Sequence, residues 1–201
     1  MPSSAQDREK WEELYAAGSR ADRPPSRWVL DTVARLPNDL PVVDIAGGAG
    51  RHAIPIARTG RPVLLIDIAI NAVTAVRKAA PGIDVVVAST SALPLRPRQF
   101  GVVLVTNFLD RAIFADLVNL IAPGGFLVYE TYTVAHLELV RRGMARGPSS
   151  PEYLLAPGEL PRLASGLDVL EYQEDEVDDD AGRRHCARLL GQRAGGNGQG
   201  V

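Results

Sequence analysis

Short apolar runs alternate along the chain with amphipathic or polar stretches, and that alternation sets the predicted elements. Strands are predicted from Val42 into the glycines at 47–50, and at Val63–Asp67, Asp84–Ser89, Phe100–Asn107 and Phe126–Tyr132. Helices fall between them at Arg51–Arg58, Asn71–Ala79 and Ile113–Ile121. They are closed by Thr59-Gly60-Arg61-Pro62, Ala80-Pro81-Gly82 and Ala122-Pro123-Gly124-Gly125. Pro55 lies early enough in its helix to be tolerated. Strands alternating with helices of this length imply parallel βαβ units in a doubly wound α/β sheet, which binds ligands beyond the carboxyl ends of its strands.

Two helices precede this core. One, over about Asp7–Ala17, sets Trp11 and Tyr15 on the same face; the other follows Pro24-Pro25-Ser26 and runs to about Arg35. At the far end, Leu167–Val177 and Arg184–Gln192 read as two strands joined through Asp178–Gly182, an antiparallel hairpin closing the sheet. The acidic run Glu174–Asp180 reads as a solvated loop that protects a sheet edge. Residues 141–161, rich in arginine, proline and glycine, form either a substrate lid or a plain surface connection. There are no repeats. The expected organisation is a flexible start over 1–6, one domain over 7–192 and a disordered tail over 193–201.

With 201 residues, 46% of them apolar, the chain suits one well-buried domain. The net charge of −2 gives no broad basic field, so bulk electrostatics point to neither nucleic acid nor membrane. One cysteine, Cys186, excludes an internal disulfide and a thiolate metal cluster; next to His185 on a strand, it faces the other way, so the pair makes no metal site. Without a membrane-length apolar run or a signal-like start, the expectation is a cytoplasmic protein.

The most informative stretch is Val42-Val43-Asp44-Ile45-Ala46-Gly47-Gly48-Ala49-Gly50-Arg51, a strand running into a glycine turn and a helix. Gly47, Gly48 and Gly50 permit a sharp turn that leaves backbone N–H groups open to a ligand, with the positive end of a helix aimed there. Asp67 closes the next strand, where a carboxylate can accept from two ribose hydroxyls. Gly48-x-Gly50-x-x-Ala53, with an acid 19 residues on from Gly48, fits the dinucleotide fingerprint and hence a nicotinamide-dependent oxidoreductase. Asp44 argues otherwise. A carboxylate there repels a pyrophosphate but is stabilised beside the ammonium and sulfonium of S-adenosylmethionine.

Other polar residues leave strand ends on the same edge: Ser89 and Thr90, then Thr106 and Asn107, then Glu130, Tyr132 and His136. Trp11 and Tyr15 either pack or cover the cofactor as a lid. His52 reads as an ordinary polar cap. No Ser–His–Asp set, metal cluster or cysteine–histidine pair is evident, which suits a nucleophile that needs no strong base; Glu130 and His136 are the general-base candidates.

These residues resemble a class I S-adenosylmethionine-dependent methyltransferase over about 7–192. Val-Val-Asp-Ile-Ala-Gly-Gly-Ala-Gly-Arg-His52 resembles the family's first motif, Leu-Leu-Ile-Asp67 its second acidic strand end, and Leu-Ile-Ala-Pro-Gly-Gly-Phe-Leu127 its proline-glycine-glycine turn. Asn-Phe-Leu-Asp-Arg111, Tyr-Glu-Thr-Tyr132 and Tyr-Leu-Leu-Ala-Pro-Gly-Glu-Leu160 resemble small bacterial members grouped with tellurite-resistance and thiopurine methyltransferases. The resemblance implies a seven-stranded, mostly parallel Rossmann-like sheet with an antiparallel last strand. It also implies roles: Asp44 and the backbone at Ala46, Gly47, Gly48 and Gly50 toward the methionine part, Asp67 toward the ribose, Ser89 and Thr90 toward the adenine. Asn107 falls near the sulfonium, and Trp11 with Tyr15 resembles the family's lid. Ser89 replaces an aspartate of many relatives and Gly101 another. The implied activity is methyl transfer from S-adenosyl-L-methionine to a small-molecule acceptor; a non-catalytic cofactor- or partner-binding protein on the same fold is the alternative.

Overall fold

The computed structural model describes residues 4–16 and 23–195. Seven strands form one sheet: β1 (Val42–Ile45), β2 (Val63–Asp67), β3 (Asp84–Val87), β4 (Phe100–Thr106), β5 (Ile121–Tyr132), β6 (Asp168–Val177) and β7 (Arg184–Gln192). Their order is β3-β2-β1-β4-β5-β7-β6. All neighbours pair in parallel except β7, which is antiparallel to both β5 and β6. The doubly wound sheet with a lone antiparallel C-terminal strand is therefore the observed fold. Order reverses between β1 and β4, which puts the ligand crevice of such a sheet at their carboxyl ends.

Period-two alternation divides the core. On β4, Val103 and Val105 join one apolar cluster with Leu127, Tyr129 and Leu117, while Val102 and Leu104 join the other with Val29, Val33 and Val76. Helices cover both faces: α2 (Arg27–Arg35), α3 (Ala53–Ala57), α4 (Ile70–Ala79) and α5 (Phe114–Leu120), with α6 (His136–Arg141) and α7 (Glu159–Leu163) late in the chain. Arg61, 4% exposed, donates to the carbonyls of Val33 (2.9 Å), Leu36 (2.5 Å) and Pro37 (2.6 Å), satisfying the C-terminal end of α2.

Several sequence expectations shift. Helix α1 (Ser4–Ala16) begins inside the stretch expected to be flexible. Helix α3 is only five residues, because 51–52 belong to the glycine turn. Strand β5 starts at Ile121 rather than Phe126: Ala122-Pro123-Gly124-Gly125 is taken into the strand, where the pairing with β4 shifts register between Phe100 and Val102. Gly101 sits at that shift, and a Cβ there would lie 2.5 Å from the Cβ of Leu40, so the position leaves no room for a side chain. The acidic run is only partly a solvated loop: Glu174, Asp175 and Glu176 lie in β6, and Glu174 accepts from the Gly158 amide (2.9 Å) and the Tyr172 hydroxyl. In 141–161, Leu154 and Leu155 are buried and Leu155 bridges Thr133, which pins the end of that segment to the sheet. The tail expected to be disordered lies, from residue 196 on, outside the described residues.

Candidate functional site

The site is built where β1 ends. Ala46 (φ 55°) and Gly48 (φ 56°) are left-handed, and Gly50 (φ 76°) closes the turn by donating to the Gly47 carbonyl at 3.0 Å. The Ile54 amide then reaches the Gly50 carbonyl at 2.9 Å and starts α3. At Gly47 a Cβ would lie 2.8 Å from both Asp44 Cγ and Leu65 Cδ1. The glycine cradle thus exists as the sequence implied, with one change: the Gly48 amide does not face outward but donates to Asp67 Oδ2 at 2.8 Å.

Asp67 is thereby aimed. Its Oδ1 accepts from the Ala69 amide at 2.9 Å, so each oxygen holds one backbone donor and keeps a lone pair for another. Burial pushes its carboxyl above the ordinary value, against the pull of those backbone amides. Asp44 differs. It is 1% exposed, and neither carboxylate oxygen accepts a hydrogen bond of ordinary geometry among the described residues. Burial raises its carboxyl to about 7, with the Arg51 charge and the Ala53 amide pulling down and Asp67 pushing up. A carboxylate stripped of water with no well-formed hydrogen bond is a large unmet demand. A cationic ligand in the cradle would meet it, and the ammonium and sulfonium of S-adenosylmethionine fit that donor set.

Trp11 and Tyr15 come to the same place. Their rings lie 6.3 Å apart on α1, and any side chain at Gly48 would collide with the Tyr15 hydroxyl. Asn107 leaves β4 with φ 51°, its amide donating to the Glu130 carbonyl at 2.8 Å. Ser89 and Thr90 leave β3 as a 3-10 turn, Ser89 Oγ accepting from the Ser91 amide at 3.3 Å. These residues surround the carboxyl ends of β1 to β4 as the sequence placed them.

The two general-base candidates are positioned otherwise. Glu130 does not open onto a ligand: it is 1% exposed and accepts from Ser26 Oγ (2.8 Å), Arg188 Nε (2.8 Å) and Arg184 Nη2 (3.3 Å). Asp179 completes the cluster by pairing with Arg184 (2.5 Å) and Arg188 (3.8 Å), so two carboxylates balance two guanidiniums. Burial opposes the charge on Arg184, but Asp179 and Glu130 outweigh it and its pKa rises. A carboxylate whose oxygens are taken by a hydroxyl and two guanidiniums has no open face for a substrate. His136 does not emerge beside the sheet edge either. It is fully buried at the start of α6, its ring 4.6 Å from that of Tyr132, with burial lowering its pKa and Nε2 unpartnered against Gly147.

His52 is more than a surface cap. Its Nε2 accepts from the Ser26 amide at 3.0 Å, which leaves the proton on Nδ1, donated to Thr106 Oγ1 at 3.1 Å. Burial, helped by the charges of Arg51 and Arg184, holds its pKa well below the usual value, so it is a neutral fixture. Ser26, Arg184 and Arg188 carried no signal in the sequence, because their contacts with His52 and Glu130 are distant in the chain, while Asp179 was hidden in the acidic run. Burial pushes the Cys186 thiol up to about 12, so it is unreactive. Among the described residues no group of three His, Cys, Asp or Glu could hold a metal ion, and no helix is long and apolar enough to cross a membrane.

Residues 42–125, from β1 to the start of β5, match the family model of the methyltransferase domain. A demethylmenaquinone methyltransferase of Renibacterium salmoninarum is 25% identical over 148 residues, 64% of this chain and 62% of that protein, so the chain spans about three fifths of that relative's length. An S-adenosylmethionine-dependent methyltransferase of Methanosarcina mazei superposes with a TM-score of 0.69 at 19% identity, covering 86% of this chain and 99% of the other. TehB of Haemophilus influenzae superposes with a TM-score of 0.69 at 17% identity, covering 90% and 67%. The stretch that carries the cradle therefore matches the methyltransferase domain its motifs indicated, and the sheet around it has the fold of S-adenosylmethionine-dependent methyltransferases.

Proposed function

From that domain as premise, we propose that this chain binds S-adenosyl-L-methionine and transfers its methyl group to a small-molecule nucleophile by in-line displacement. The observation that carries the reading is the Asp44 carboxylate, buried and without a hydrogen bond of ordinary geometry on either oxygen at the floor of a glycine cradle. An oxidoreductase that placed a pyrophosphate there would set like charge against it. When bound, the cofactor supplies an activated methyl group on a sulfonium. The chain's own part is then to bind and to align. Asp44 answers the ammonium and sulfonium, Asp67 offers its remaining lone pairs to the ribose, and Ser89 and Thr90 border the adenine. Trp11 and Tyr15 cover the cradle and exclude water, while Asn107 marks the edge where the acceptor enters. With Glu130 tied up in its ion cluster and His136 sealed, neither candidate base stands ready, which favours an acceptor that is soft or already ionised.

The test is calorimetric titration with S-adenosylhomocysteine and, separately, with NAD. Binding of the first alone supports the reading and opens a screen of acceptors with labelled methyl donor. Binding of NAD alone overturns it. Tight binding of S-adenosylhomocysteine with no methyl acceptor found, across small nucleophiles of nitrogen, oxygen and sulfur, would favour a non-catalytic binding protein.

A further inference from the structure

We propose that Glu12 is a positioning residue that seats helix α1 over the cofactor cradle by serving as the N-cap that helix α4 lacks in its own sequence. The inference rests on the cofactor reading above. Helix α4 starts at Ile70; its N-cap position is Ala69, which has no side-chain oxygen, and its first turn carries no acid. The opening amides of a helix have no acceptor within it and concentrate positive potential. Both needs are met from 58 residues upstream. The Ile70 amide donates to Glu12 Oε1 at 2.6 Å and the Asn71 amide to Glu12 Oε2 at 3.1 Å.

The preceding amide, that of Ala69, donates to Asp67 Oδ1. Three successive N–H groups are thus divided between the carboxylate assigned to the ribose and the carboxylate of the covering helix. Seating α1 and finishing the ribose site are one arrangement. On the same helix Tyr15 lies against Gly48, and Lys10 Nζ lies 5.0 Å over the Tyr153 ring, from the segment beyond α6. None of the described side chains of α1 is buried. Trp11, Leu14 and Tyr15 are only half-buried, so apolar packing alone seats α1 loosely, and the bidentate Glu12 contact, charge-assisted at both bonds, adds the fixed point of its seat. Replacing it should free α1 without disturbing the sheet.

Hydrogen exchange on ligand-free protein and the dissociation rate of S-adenosylhomocysteine, measured on the full chain, test this. Glu12→Ala should exchange faster at Ile70, Asn71 and through α1, and release S-adenosylhomocysteine about five- to tenfold faster, the loss of one strong cap. Its global unfolding midpoint should stay that of wild type, and Glu12→Gln, which keeps one acceptor, should fall between the two. If wild type binds S-adenosylhomocysteine and Glu12→Ala releases it as slowly, with unchanged exchange, the role of Glu12 is overturned while the cofactor reading stands. A lowered midpoint with faster exchange across the whole sheet likewise overturns it, in favour of a general structural cap. Wild type that does not bind S-adenosylhomocysteine overturns the cofactor reading and, with it, this role.

Discussion

Asp44 on β1 and Glu130 on β5 are carboxylates of equal burial, each 1% exposed, near the same edge of one sheet with only β4 between their strands. Glu130 receives a hydroxyl and two guanidiniums; Asp44 has the Ala53 amide nearby but accepts no hydrogen bond of ordinary geometry among the described residues. A buried charge is tolerated only when something compensates it. For Glu130 that compensation is inside the chain, so the group is structural. For Asp44 the chain supplies only the Arg51 charge and the Ala53 amide, and burial still outweighs them, so the remainder must arrive from outside. The contrast sorts two acids that look alike in sequence into one that builds the protein and one that waits for a ligand.

The largest effect is expected on the structural side. Glu130→Ala leaves two buried arginines facing only Asp179 and should cost about 3–5 kcal/mol of stability in denaturant titration. A loss below 1 kcal/mol would mean that the cluster is wetter and weaker than its geometry indicates. Next comes Asp44→Asn, which keeps shape and removes charge. It should weaken S-adenosylhomocysteine binding about tenfold to a hundredfold while stability holds or rises, since an uncompensated charge is gone. Parallel loss of stability and affinity would erase the distinction between the two acids. Asp67→Ala, which removes the acceptor for ribose hydroxyls and frees the Gly48 and Ala69 amides, should cost about 1–3 kcal/mol of binding by calorimetry. Unchanged affinity in a folded variant would remove Asp67 from the site.

The smallest effect is in pH. Because the Asp44 carboxyl sits near 7 in the fold, above its ordinary value near 3.8, the folded chain holds a proton there that the unfolded chain has lost. The Asp44 contribution to stability is thus present below the ordinary carboxylate range and declines as pH rises toward 7. Binding a cation favours the ionised form, so S-adenosylhomocysteine affinity should rise between pH 6 and 8, by less than about tenfold per unit, with proton release below 7. Calorimetry in two buffers of different ionisation heat measures that release. Asp44→Asn should abolish it; a variant that releases as many protons as wild type would locate the titrating group elsewhere.

What could be read in advance followed distance along the chain. The run from Val42 to Asp67 is local: an apolar strand, three glycines and a second strand end specify the turn and aim both acids with little help from afar. The alternation of strands and helices was equally legible, down to the hairpin at 168–192. The cluster around Glu130 was not, since Ser26, Glu130 and Arg184 are joined by contacts spanning 54 to 158 residues. Composition at Ala122–Gly125 signalled a break because proline and glycine punctuate most structure, yet a register shift absorbed them into β5. His136 looked like a strand-exit residue because the start of α6, which buries it, depends on packing against β7 rather than on a local signal. Glu12 is the same lesson in reverse: its function as a cap is plain only once α4 is seen to start on Ala69.

Helix α2 is held at both ends by parts of the chain that do not adjoin it. Arg61 ties down its last carbonyls, and at the other end Ser26 is fastened to His52 and Glu130. Nine residues of helix make a rod about 13 Å long. Clamped this way, the rod is a brace laid between the Arg61 loop and Ser26. The ligand edge and the opposite rim thus share one short strut, fixed by buried hydrogen bonds at both of its ends.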